Sequence, residues 1–151
     1  MTTYSGFRDQ TGQTHVAVDQ DGDLRPLPHL VRHSPTGMAW GYGGSGPADL
    51  ARSLLAHFLG GHVAPHPRIY QRFKSVVIAS LPRNQDWTLT SEDVQAALDD
   101  VLDREGVTCA LCADQGQIWP DQSLRRAAPP AFCACVQGRT LAAAFRKRCP
   151  Q

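Results

Sequence analysis

No run of apolar residues in this sequence approaches the ~20 that a helix needs to cross a bilayer. Its opening MTTYSGFRDQ has neither the basic start nor the apolar stretch of a secretory signal. A cytoplasmic chain without a membrane partner is therefore expected. Net charge is lacking too: 15 Lys and Arg against 14 Asp and Glu give +1, which selects neither nucleic acid nor membrane by overall charge. Cysteine is missing from the first 108 residues and all five fall in the last 43. In a reducing compartment such a cluster reads as metal ligands or free thiols before disulfides. There is no internal repeat.

What is present fits one domain of ordinary size, with 42% hydrophobic residues in a chain of 151. Charge divides the chain at Gly106. Residues 1–106 carry 9 basic and 12 acidic side chains, and residues 107–151 carry 6 and 2, so the C-terminal part is the basic one. The expected division is an α+β core over 1–106 and a Cys-rich basic extension over 107–151.

Local pattern supports an α+β core. TYSGFR and THVAVD are rich in β-branched and aromatic residues and flank a turn at Gln10-Thr11-Gly12, which predicts a hairpin. Pro26 and Pro28 restrict the next segment to an edge strand at best. Leu50, Leu54, Leu55 and Phe58 recur at helical spacing, with Asp49, Arg52, Ser53 and His57 on the other side, until Gly60-Gly61. A second helix opens at Pro67 and continues toward Pro82, although SVVIASL also fits a buried strand. In the third, Val94, Ala97, Leu98, Val101 and Leu102 form an apolar stripe behind a cap at Thr90 or Ser91. RTLAAAFRKR predicts a short fourth helix. The expected fold is a small antiparallel sheet or hairpin packed on three or four helices.

The glycine-rich stretch WGYGGSGPAD raises the question of a phosphate cradle. A Walker loop needs Lys and a hydroxyl after its last glycine, whereas Pro47, Ala48 and Asp49 stand there. With Gly46 as N-cap, Pro47 removes one donor and Asp49 offers its own carboxylate to the rest. GGSGP misses the G-x-S-x-G elbow by one residue, which weakens Ser45 as a nucleophile. A structural turn, or a partner contact through Trp40, Tyr42, Gly43, Gly44, Ser45, Gly46 and Arg52, accounts for the stretch better.

The cysteines give C-x2-C at Cys109 and Cys112 and C-x-C at Cys133 and Cys135, which could close a tetrahedral zinc site around a 20-residue loop. Small buried thiols are the competing reading. No other cofactor is expected. His57, His62 and His66 span a helix end and a Gly- and Pro-rich loop, and read as solvent-facing rather than metal-binding. Glu92, Asp93, Asp99, Asp100 and Asp103 read as a solvated helix face. Arg125, Arg126, Arg139, Arg146, Lys147 and Arg148, interleaved with Trp119 and Phe132, suggest either a basic surface or a nucleic-acid contact.

The stretch HSPTGMAWGYGGSGPADLARSLLAHFLG, with YQRFKSVVIASLP, WTLTSEDVQAAL and the opening YSGFR, resembles a small bacterial family of unknown function, DUF6166-like, with members on phage or plasmid genomes. The resemblance runs from Tyr4 to Leu98 and omits the cysteines. It implies a β-hairpin plus helices and directs attention to Trp40–Pro47, but brings no reaction with it.

The leading expectation is a non-enzymatic binding module that meets a protein or nucleic acid through the glycine-rich turn. The second is an enzyme acting on a nucleotide or phosphorylated substrate, with the turn as anion site and Arg52, His33 or His57 assisting. The third is a zinc-stabilised tail that grips nucleic acid.

Overall fold

Four short strands pair in the order β3-β2-β1-β4, all antiparallel, and one face of this sheet carries the helices. The computed structural model describes residues 1–61, 63–118 and 131–149. β1 (Thr2–Arg8) and β2 (Thr14–Gln20) form the predicted hairpin. Its turn is organised by the Asp9 carboxylate, which accepts from Thr11 N, Thr11 Oγ1 and Gln13 N, with Gly12 at φ +84°. The register sets Tyr4 opposite Val18 and Gly6 opposite Val16, so period-two alternation puts all four on the buried face. β3 (Asp23–Pro26) is the exposed edge strand that its proline allows. β4 (Trp87–Thr90) closes the other edge against β1 and had no counterpart in the sequence reading.

α1 (Ser45–Phe58), α2 (Pro67–Val76) and α3 (Ser91–Glu105) cover the inner face. The core joins Tyr4, Val18 and Trp87 from the sheet to Leu50, Leu54, Phe73 and Val101 from the helices. Each such side chain contributes about 1.5–3 kcal/mol by leaving water. SVVIASL resolves as helix: α2 ends at Val76 and a single 3-10 turn, Ile78–Ser80, follows, because Ile78 is wanted in the core and Pro82 stops further winding.

α3 begins at the expected cap. Thr90 Oγ1 accepts from Asp93 N while the Asp93 carboxylate accepts from Thr90 N, and Gly106 at φ +68° ends the helix. Glu105 bridges Arg68 and Arg72 of α2, at 2.6 and 2.8 Å.

After Gly106 come β5 (Gln117–Ile118), β6 (Ala131–Phe132) and α4 (Val136–Arg148), a two-stranded ribbon and a helix. The segment before β5 is docked on the core by buried Ala110, whose carbonyl accepts from His66 N at 3.0 Å. Among the described residues no helix is long and apolar enough to cross a membrane.

Candidate metal centre

The first turn of the C-terminal unit is wound around Asp114. Its carboxylate accepts from Thr108 N, Cys109 N and Thr108 Oγ1 at 2.8–3.0 Å, and these donors hold its pKa below the usual value. Ala113 and Asp114 both take positive φ, +49° and +61°, a conformation that L-residues adopt only when surrounding bonds fix it. The turn places Cys109 and Cys112 together. The second pair arrives from the other side: Cys133 N bonds Gly116 O at 2.8 Å, and Cys135 is the N-cap of α4, its sulfur accepting from Gly138 N at 3.4 Å.

All four sulfurs lie within 4.8 Å of one another. Cys109 and Cys133 are 3.7 Å apart, and Cys112 and Cys135 are 3.6 Å apart. A disulfide needs about 2.05 Å, whereas a tetrahedron with metal–sulfur bonds of about 2.3 Å has edges of about 3.8 Å. The spacing fits a metal that the thiols share. Backbone N–H groups favour the thiolates as well: Gly138 N reaches Cys135 Sγ at 3.4 Å, and N–H groups of Leu111, Cys112, Gly116 and Cys135 act to lower the pKa values of the other three. Burial pushes the thiols of Cys109, Cys112 and Cys133 up, while the Gly138 N–H leads in drawing Cys135 down to about 7. Four thiolates around a dication leave a net charge of −2, which inward N–H dipoles spread. Four protein ligands also leave no open position, so the centre suits structure rather than catalysis.

An open groove of about 810 Å³ runs beside it, with Leu98 and Leu102 of α3 on one wall and Cys109, Cys135 and Val136 on the other. Cys112 and Cys133 are buried, and Cys109 and Cys135 remain half-exposed. The fifth cysteine, Cys149, is exposed at the end of α4 and takes no part.

The glycine-rich turn is packed inward more than its composition suggested. Trp40 is 0% exposed: its ring meets Trp87 edge-on at 5.6 Å and Nε1 donates to Pro82 O at 3.1 Å, which takes it off the surface. α1 starts earlier than expected, at Ser45 with Gly44 as N-cap, so neither Gly46 nor Asp49 has the capping position assigned to it. The Tyr42 ring rests on this first turn; a Cβ on Gly44 would stand 2.6 Å from it, and one on Gly46 would stand 2.8 Å from Ala39 Cβ. Gly41, at φ +82°, passes against the Arg83 backbone. Tyr42, Gly43 and Ser45 stay exposed, with the Arg83 guanidinium 5.2 Å over the Tyr42 ring.

Asp49 is the main correction. Its carboxylate is fully buried and accepts from Arg32 N, His33 N and Ser34 N at 2.9–3.3 Å, and from His29 at 2.8 Å. Burial alone would raise its pKa, but the His29 bond and the three N–H groups outweigh this and hold it low. Arg52 is buried too and donates to Leu30 O, while Ser53 Oγ accepts from Leu30 N. The polar side of α1 therefore pins residues 29–34 instead of facing water. Nothing in residue spacing marks this, because an i, i+3 acid and base look the same on a wet face.

His33 bonds Tyr70 and His57 bonds Tyr4, each at 2.9 Å, and His66 caps α2. Burial lowers the pKa of all three histidines and pushes Tyr4 up to about 12. They are thus partly buried side chains, a correction to the solvent-facing reading of His57 and His66; His62 lies outside the described residues. Among the described residues only the cysteines gather as a metal-type group, and the α3 carboxylates form none. Arg139, Arg146, Lys147 and Arg148 lie exposed on α4. Arg125, Arg126 and Trp119 fall outside the described residues.

Residues 4–100 match the model of a family of unknown function, DUF6166. The chain belongs to that family. The matched segment starts within β1 and ends at Asp100 of α3, so it takes in nearly all of the four-stranded sheet, the glycine-rich turn, α1, α2 and the first two-thirds of α3, and stops short of the cysteines. Neither a curated protein nor a solved structure matches the chain.

Proposed function

We propose that this protein is a non-enzymatic nucleic-acid-binding protein, in which zinc held by Cys109, Cys112, Cys133 and Cys135 orders a C-terminal unit that presents the basic helix α4 to phosphate. The observation that carries this reading is the convergence of four sulfurs within 4.8 Å of one another, with two of their separations, 3.6 and 3.7 Å, close to the edge of a metal–thiolate tetrahedron. Zinc is favoured over other ions because four thiolates in a closed tetrahedral set suit a borderline-soft cation with no geometric demand of its own.

α4 supports the second half of the proposal. Only Gly138 among its residues is buried, it has no acidic side chain, and its last turn carries Arg146, Lys147 and Arg148. At 1.5 Å per residue that turn lies about 16 Å from Cys135, beyond the ~8 Å over which charges act in physiological salt. The negative charge of a zinc–thiolate centre therefore leaves it basic. A reducing, cytoplasmic setting suits thiolate ligands, and nucleic-acid binding suits the phage and plasmid setting suggested by the family resemblance.

Metal analysis of the purified chain is expected to find about one zinc per chain. Binding of a labelled oligonucleotide is expected to weaken with salt, with a log–log slope near −3 if the four α4 cations meet phosphates. A metal-free chain with an ordered tail would remove this reading.

A second contact is favoured by the exposed Tyr42, Gly43 and Ser45 beside Arg83, which offer a small aromatic and cationic patch for a protein or nucleic-acid partner. The enzyme alternative is less supported, since the Tyr42 ring occupies the helix start where an anion would rest and Arg52 is committed to Leu30.

A further inference from the structure

We propose that Phe132 and Phe145 form a base-stacking platform and that the nucleic acid taken by this unit is single-stranded. The inference rests on the nucleic-acid reading above and deepens it.

The two rings lie 5.9 Å apart at 55° on the outer side of the cysteine unit, with Phe132 41% and Phe145 58% exposed. A single exposed apolar side chain is ordinary, but two phenyl rings in contact with each other and both open to water form a patch. Here Phe132 is held next to the thiol cluster and Phe145 is held by α4, whose N-cap is Cys135. Phe132 directly precedes Cys133, and Phe145 stands one turn before Arg148, so the ring pair shares a helix face with that cation.

A duplex and a single strand would use this surface differently. A duplex closes its base faces within the stack and offers phosphates and groove edges. The middle of α4 is Ala142-Ala143-Ala144, which has no polar side chain to read an edge. Against a duplex the cations would act, with Gln137 and Thr140 of the first turns, while the aromatic pair would stay idle. An unpaired strand offers both a backbone for Arg146, Lys147 and Arg148 and open base faces for the rings, the combination that single-strand binders use. The acid-free helix adds charge complementarity to the same occupant.

The test is fluorescence anisotropy of the full zinc-loaded chain with three labelled probes of equal length: oligo-dT, oligo-rU and a DNA duplex. Both single strands are expected to bind tighter than the duplex at equal salt, and the dT and rU arms tell whether the 2′-hydroxyl matters. Phe132→Ala and Phe145→Ala are each expected to weaken single-strand binding by roughly 10- to 100-fold and leave the salt slope unchanged. Arg146→Gln with Lys147→Gln is expected to flatten the slope instead. Zinc content and far-ultraviolet circular dichroism of each variant check that the unit is intact, and Phe→Leu at both positions removes stacking while keeping the apolar bulk.

Equal affinity for the duplex, with the phenylalanine variants neutral, would overturn the single-strand inference and leave the nucleic-acid reading standing. Failure to bind any probe at low salt would sink the reading beneath it. A dimer that Phe145→Ala converts to monomer would assign the platform to a second copy of the chain and overturn the proposal.

Discussion

Gly138 holds the C-terminal unit together by having no side chain. An added Cβ would stand 1.9 Å from the Cys133 carbonyl oxygen, and the same residue's N–H points at the Cys135 sulfur. Gly138→Ala must push α4 away from both ligands, so metal affinity is expected to fall at least tenfold in competition with a colorimetric chelator. Gly6 has a similar role in the sheet, where the Trp87 indole crosses β1 and a Cβ would meet its Nε1 at 2.3 Å. Gly6→Ala is expected to cost about 1–3 kcal/mol, read as a lower midpoint in urea. Asp49 is the third sensitive position. Asp49→Asn keeps the shape but turns an acceptor for three backbone N–H groups into a group that also donates, and destabilisation of about 3 kcal/mol is expected. The His29 side of the pair is 21% exposed and so partly screened, which keeps the figure below that of a sealed ion pair.

The elements divide into those that burial holds and those that the proposed metal would hold. α1 is buried nearly all round, and α2 and α3 each press an apolar stripe on the sheet, whereas α4 has only Gly138 buried and two short strands beside it. A ribbon and helix of this size bury too little to order themselves without a staple. Stripping the metal is therefore expected to abolish hydrogen-exchange protection through 131–148 while the amides of α1 and α3 keep theirs. Uniform loss across both regions would instead make the metal part of the core's own stability.

At the level of the whole molecule, three partly buried histidines tie stability to pH. Burial lowers the pKa of His33, His57 and His66 below the ordinary histidine value of about 6.5, so between the folded and unfolded values the unfolded chain binds more protons. Stability from these groups is present above 6.5 and is lost as pH falls through the folded values. Thermal melts from pH 8 to pH 5 are expected to show a falling midpoint, with a smaller fall in His57→Gln. Acid should also release the metal, because the ligands must be thiolates. The hairpin, the proline-limited edge strand, the capped third helix and the basic C-terminal helix could all be read in the chain, because each is set by contacts a few residues apart. β4 and the inward packing of Trp40 could not, since partners 40 or more residues away decide them. The sequence by itself determined the residue types and spacing that permit a four-thiol centre, along with the local elements that carry it. Only the tertiary structure decided that those sulfurs meet and that Asp49 and Arg52 turn inward, because convergence depends on how separate segments pack, and pair spacing along the chain carries no record of that.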